Sequence, residues 1–270
     1  MSKDHGLLTR PQGAQIAWRI QGASHGPVVL LSNSLAADQT MWSEVVQSLA
    51  ATHRLITYDN RGHGLSTCPD APSSLSDLAL DAMAVLDAAG VEKVWWLGVS
   101  LGGMTGMQAA LDHPQRLLGL MACHCRARID QLGIDGWNQR EAIAREQGMS
   151  ALAEPTLSRW FTPEVQARQP QTMAAVKAMI ARQTPEGYAT CTHAIKTMQL
   201  WDRLGEWTLP TCFLSGAQDG AAPPAEMQLM AERVKGARFE VFDPCGHLSC
   251  IERPTDLVNL FLNWSGQQAR

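Results

Sequence analysis

A serine, an aspartate and a histidine stand in this chain where nucleophilic acyl transfer would use them. The serine is Ser100, in the run Gly98-Val99-Ser100-Leu101-Gly102-Gly103. A hydroxyl is a weak nucleophile at neutral pH. It attacks a carbonyl when a base within hydrogen-bond reach takes its proton and a third group fixes the tautomer of that base. Glycines two residues to either side of a serine permit a sharp strand-to-helix turn that lifts the hydroxyl clear of its neighbours. Asp219, in Ser215-Gly216-Ala217-Gln218-Asp219-Gly220, and His247, in Pro244-Cys245-Gly246-His247-Leu248-Ser249, follow in the order acid, then histidine. Asp243 falls too near His247 to occupy a separate loop, and Asp59 follows an earlier strand beside a rigid turn. His63 between two glycines reads as a structural loop residue. His5, His25, His53, His113, His124 and His193 have no comparable setting, although His124 follows a strand end at the edge of the expected pocket.

The same chemistry requires two N–H groups aimed at the developing oxyanion, one from the residue after the nucleophile and one from the loop after an earlier strand. Leu101 meets the first requirement. Leu35, in Ser32-Asn33-Ser34-Leu35-Ala36-Ala37, meets the second, with small residues after it that leave room for a backbone to approach.

Holding these groups together takes a sheet whose strands end along one edge. Apolar runs at 28–31, 55–58, 94–97, 117–122, 212–215 and 238–242 read as strands, separated by helical patterns at 42–50, 75–89, 101–111, 225–234 and 254–264. That alternation predicts an α/β fold with a mostly parallel sheet and helices on both faces. The alternating pattern at 13–20 reads as an antiparallel edge strand. Between 126 and 205 the spacing predicts helices at 137–147, 149–159, 163–168, 171–183 and 185–198 and no strand. Such an insert predicts a helical cap, with core segments at 1–125 and 206–270.

Composition narrows the partners. With 45% hydrophobic and 18% charged residues, the chain has the make-up of an ordinary globule. The 22 Lys and Arg are scattered and the net charge is −4, so no nucleic-acid partner is expected. Seven cysteines cannot all pair and mostly sit in apolar surroundings, which predicts reduced thiols and a cytoplasmic protein. Cys123-His124-Cys125 lacks zinc-site spacing, so no metal is expected. The opening run Met1-Ser2-Lys3-Asp4-His5-Gly6 is polar, and no apolar stretch approaches the ~20 residues a membrane span requires.

These residues carry a resemblance. Ser32-Asn33-Ser34-Leu35 with Met41-Trp42, Tyr58-Asp59-Asn60-Arg61-Gly62-His63-Gly64-Leu65-Ser66, the Ser100 run, and Gly246-His247-Leu248-Ser249 with Glu252-Arg253-Pro254 resemble the α/β-hydrolase superfamily along nearly the whole chain. More narrowly the chain is similar to 3-oxoadipate enol-lactonases. Trp160-Phe161-Thr162-Pro163 and Tyr188-Ala189-Thr190-Cys191 extend that likeness into the cap. The segment around Asp130–Asp135 looks lengthened against the family pattern, and Cys123-His124-Cys125 stands where small residues are expected. The resemblance implies hydrolysis of a small enol-lactone with an acetate arm through an acyl-enzyme on Ser100, with no cofactor. A carboxylesterase, a lactonase acting on another ring, and a small-molecule sensor built on the same fold are the other readings; a homo-oligomer stays open. A substrate carboxylate would require a cation from the cap, for which Arg128 and Arg140 are the candidates, with Trp137 as an apolar wall.

Overall fold

The computed structural model describes residues 4–69 and 71–268. Met1, Ser2 and Lys3 of the polar opening run lie outside the described residues. Eight strands form one sheet in the order β1-β2-β4-β3-β5-β6-β7-β8. They are β1 (His5–Thr9), β2 (Gln15–Gly22), β3 (Val28–Ser32), β4 (Arg54–Tyr58), β5 (Val94–Val99), β6 (Leu117–Cys123), β7 (Thr211–Gly216) and β8 (Arg238–Phe242). β1 and β2, and β2 and β4, pair antiparallel, while every pair from β4 to β8 is parallel. The central strands are continuous apolar runs because helices cover both faces: all six residues of β5 and all six of β7 are buried.

The helices around the sheet are α1 (Ser43–Leu49), α2 (Leu75–Ala88), α3 (Leu101–Asp112), α9 (Pro224–Arg233), α10 (Ser249–Glu252) and α11 (Pro254–Gln268). α3 lies against β5 and β6 beside α2, whereas α1 packs with α11. Trp42, Trp96, Trp264, Tyr58, Phe213 and Phe261 are the largest fully buried side chains of the core. Between β6 and β7 the chain makes α4 (Gln131–Gln147), α5 (Ser150–Trp160), α6 (Pro163–Arg168), α7 (Pro170–Ala181) and α8 (Pro185–Lys196). No helix among the described residues is long and apolar enough to cross a membrane.

Three elements differ from expectation. β2 is not the edge strand, because β1 pairs outside it; β1 alternates only between exposed and half-buried residues, so its hydrophobic signal is weak. α4 begins six residues earlier than its apolar spacing suggested, since Asp130 caps it by accepting the Gly133 N–H at 2.8 Å while Gly133 and Gly136 mask the helical pattern. The one-turn α10, directly after His247, is too short to leave a periodic signature.

Candidate active site

Ser100 joins β5 to α3 with φ 57° and ψ −115°, a conformation that an ordinary residue occupies only when its surroundings impose it. The surroundings here are backbone. A Cβ on Gly98 would lie 2.2 Å from the Gly102 carbonyl oxygen, and one on Gly102 would lie 2.0 Å from that of Ser32. The two glycines thus let β5, α3 and the end of β3 close on one another. Ser100 N–H donates to the Cys123 carbonyl at 2.8 Å, and the Trp96 indole N–H donates to the Gly102 carbonyl at 3.0 Å, pinning both arms of the turn.

Asp219 and His247 emerge from the carboxyl ends of β7 and β8. The imidazole Nδ1–H donates to Asp219, 2.9 Å from Oδ2 and 3.0 Å from Oδ1. Oδ1 also accepts the Ala221 and Ala222 N–H groups, each at 2.9 Å. Burial by itself would raise this carboxyl, but the charge of His247 and the hydrogen bonds from His124 and His247 outweigh it and hold Asp219 well below the usual carboxylate range. The His247 N–H donates to the Trp160 carbonyl at 2.7 Å, and the two rings stack with centroids 6.4 Å apart, so the end of α5 holds this histidine. Ser100 and His247 line the same cavity, and among the described residues the Ser100 hydroxyl makes no hydrogen bond with the imidazole.

The loop after β3 is stitched from within. The Asn33 amide donates to the Tyr58 carbonyl at 2.8 Å and accepts the Trp42 indole N–H at 2.9 Å. Ala36 takes φ 58°, and its N–H donates to His63 Nε2 at 3.1 Å, while His63 Nδ1–H donates to the Arg61 carbonyl at 2.9 Å. His63 is therefore the structural residue expected, with the added task of fixing the loop that carries Leu35. The Leu35 and Leu101 N–H groups have no acceptor among the described residues.

The cavity over Ser100 measures about 260 Å³. Ser34, Leu35, Ser100 and His247 wall its floor, and Trp137, Arg140, Arg159 and Tyr188 from the inserted helices wall its roof. Arg140 sits over the Trp137 ring at 4.0 Å, one turn along α4. Arg128 is not brought to the cavity: its guanidinium lies 3.9 Å over the Trp201 ring with Nε 3.8 Å from Glu226 Oε1. Arg126 and Arg159, which the sequence reading did not select, line the cavity instead. Arg126 is paired with Glu226 at 3.1 Å, whereas neither Arg140 nor Arg159 has a carboxylate partner among the described residues. Burial lowers the Arg159 guanidinium, and the Arg140 charge adds to the effect. Burial pushes the Tyr188 phenol up to about 12 against the opposing charges of Arg140 and Arg159. Two buried side-chain polar atoms among the described residues lack a hydrogen-bond partner, Ser34 Oγ and Arg140 Nε, and both belong to residues of this cavity.

One group of three metal-ligating side chains converges among the described residues: His124, Asp219 and His247, with ligand atoms within 4.8 Å of one another. Here both imidazoles direct Nδ1 at the carboxylate and are joined to it by hydrogen bonds. A metal would have to displace both of those protons.

A family model described as the alpha/beta hydrolase fold matches residues 27–254. 3-Oxoadipate enol-lactonase 1 of Acinetobacter baylyi is 29% identical over 262 residues, 97% of each chain. The crystal structure of the enol-lactonase from Burkholderia xenovorans LB400 superposes with a TM-score of 0.89 at 32% identity, covering 93% of this chain and 96% of that one. A thermophilic esterase from Thermogutta terrifontis with malate bound gives a TM-score of 0.91 at 26% identity, covering 98% and 99%. From the sheet order, the strained serine between β5 and α3 and these matches, the chain belongs to the alpha/beta hydrolase fold family.

Proposed function

We propose that this protein is a serine hydrolase that opens a small lactone bearing a carboxylate arm, of the 3-oxoadipate enol-lactone kind, through an acyl-enzyme on Ser100. The observation that carries this reading is the pair of unsatisfied polar atoms in one cavity. Ser34, next in the chain to Leu35, belongs to the reactive floor, and Arg140 Nε lies at the roof, where Arg159 also has no carboxylate partner among the described residues. Buried donors left without partners are costly, so the cavity suits a ligand that is polar at both ends and apolar between. The likeness to enol-lactonases, and to an esterase with malate bound, supports the same substrate class.

The chemistry follows from the placed groups. Rotation of the Ser100 side chain brings its hydroxyl to the free Nε2 of His247, a contact that commonly tightens only when substrate binds. His247, its tautomer fixed by Asp219, takes the proton as the Ser100 oxygen attacks the lactone carbonyl. The Leu35 and Leu101 N–H groups stabilise the oxyanion, each worth about 3 kcal/mol in such sites. The acyl C–O bond of the ring then breaks, and the enolate oxygen, still tethered to the acyl chain on Ser100, takes a proton from His247 and is free to become the ketone. Water deprotonated by His247 attacks the acyl group, and Ser100 departs with that proton as the diacid is released. Arg140 and Arg159 hold the carboxylate arm throughout.

The test is a panel of enol-lactone, aryl ester and acyl-homoserine lactone, each assayed with the wild type and Ser100→Ala. Turnover should be greatest on the enol-lactone and fall at least about a thousandfold in the variant. Turnover preserved in Ser100→Ala would remove the acyl-enzyme. A preference for the uncharged esters would point to a carboxylesterase or to a lactonase acting on another ring, and small-molecule binding without turnover to a sensor.

A further inference from the structure

The carboxylate of Asp219 serves two histidines. His124, one residue beyond β6, donates Nδ1–H to Asp219 Oδ2 at 3.0 Å, on the oxygen that receives His247 Nδ1–H at 2.9 Å. Its other nitrogen, Nε2, is 2.9 Å from the Ser249 hydroxyl, which donates to it. All members of this line are buried, with His124 and Ser249 at 0% exposure. Among the described residues His124 is one of three non-glycine residues with positive φ, at 53°; the other two, Ala36 and Ser100, carry the oxyanion loop and the nucleophile. Its N–H donates to the Leu214 carbonyl at 2.7 Å, so the pairing of β6 with β7 aims the ring into the gap behind Asp219.

On the triad reading proposed above, we infer that His124 is a positioning residue of the hydrolytic site. Its N–H orients the Asp219 carboxylate and withdraws part of the charge that this carboxylate would otherwise spend on the His247 imidazolium. Asp219 offers about four acceptor positions, and two backbone N–H groups and two imidazoles fill them. Neither oxygen is left to rotate. With His124 in place the charge of Asp219 is divided between two imidazole N–H donors, and removing His124 returns that charge to the His247 imidazolium alone.

The other groups around the two imidazoles do not substitute for this one. Glu252 of α10 accepts the Thr162 hydroxyl at 2.9 Å and the Gly246 N–H at 2.8 Å. The thiols of Cys123, Cys125, Cys245 and Cys250 are raised by burial and stay protonated. Arg126 is paired with Glu226, and Arg140, Arg159 and Tyr188 face the cavity from its roof. Burial lowers His124 itself, in spite of Asp219, so it stays the neutral donor.

The test compares His124→Asn, His124→Gln and His124→Phe. An asparagine amide N–H stands in for Nδ1 and tolerates positive φ; a glutamine amide stands in for Nε2 and leaves Asp219 without its donor; phenylalanine removes both. The readout is the pH dependence of kcat/KM on an aryl ester, normalised to the sites titrated by a fluorophosphonate at Ser100. The acid limb should move up by about 0.5 pH unit or more in the Phe and Gln variants, with kcat per titrated site falling roughly tenfold. His124→Asn should keep the wild-type limb. Identical limbs in all the proteins, or an Asn variant displaced as far as the Phe variant, would overturn the inference. If the Phe variant fails to fold, the Asn and Gln pair decides alone. Failure of the wild type to be labelled at Ser100 would instead strike the triad reading, and this inference with it.

Discussion

At the scale of single residues, the cavity sorts its arginines by what they already touch. Arg126 and Arg128 share Glu226, and Arg128 also covers Trp201, so their charges are satisfied within the protein. Arg140 keeps an unpartnered Nε, and Arg159 donates to Thr156 Oγ1 at 3.0 Å without a carboxylate. A hydrogen bond to a charged group is worth roughly 1.5–3 kcal/mol, or about ten- to a hundredfold in affinity. Arg140→Ala should therefore raise KM at least about tenfold for a carboxylate-bearing lactone, while an uncharged aryl ester changes by no more than about threefold. Equal effects on both substrates, measured in parallel, would remove Arg140 as the carboxylate's partner.

At the scale of elements, the site depends on how helices are capped and tied. α4 carries both Trp137 and Arg140, and its first turn hangs on the Asp130 carboxylate. Asp130→Ala should cost about 1 kcal/mol of stability. It should also raise KM for the carboxylate substrate while leaving the fluorophosphonate titration of Ser100 complete, because α4 forms the roof and not the floor. A variant with lowered melting temperature and unchanged KM would show that the start of α4 does not position the roof. α5 acts on the floor as well: its last residue, Trp160, accepts the His247 N–H and stacks on the imidazole, and Thr162 just beyond it donates to Glu252. The roof and the floor are therefore joined at the histidine.

At the scale of the whole molecule, the buried histidines make stability depend on pH. Burial lowers His53, His63 and His124 below the ordinary value of 6.5. The unfolded chain binds protons at these positions before the folded chain does, so stability is full above pH 6.5 and is lost as pH falls through the lowered values. Asp59 acts in the opposite sense, since burial raises it above 3.8 and it favours the folded state in the more acidic range. Asp219, held low, withdraws stability only in stronger acid still. Melting temperature should decline between pH 7 and pH 5, ahead of any carboxylate titration at the ordinary value. A flat profile across that interval by circular dichroism would show that these imidazoles are not neutral in the folded state.

Much of this was legible in the chain because its causes are local or combinatorial. Glycines at 98 and 102 answer to backbone contacts within a few residues and at one neighbouring strand, and apolar runs without alternation answer to cover on both faces of the sheet. Chain order then placed Ser100, Asp219 and His247 at one edge, and the structure joins the last two directly. What the chain could not disclose is where long polar side chains turn. Arg128 and Arg159 look alike in sequence, and the presence of Trp201 and Glu226 beside one and not the other is settled only by packing between distant segments. His124 shows the same limit. Its neighbours along the chain are apolar or sulfur-bearing, and its attachment to Asp219 and Ser249 exists only because β6 and β7 pair in register and α10 returns beneath them. Local sterics and hydrophobic pattern depend on nearby residues and survive in one dimension; the partner of a buried proton is chosen by the folded arrangement.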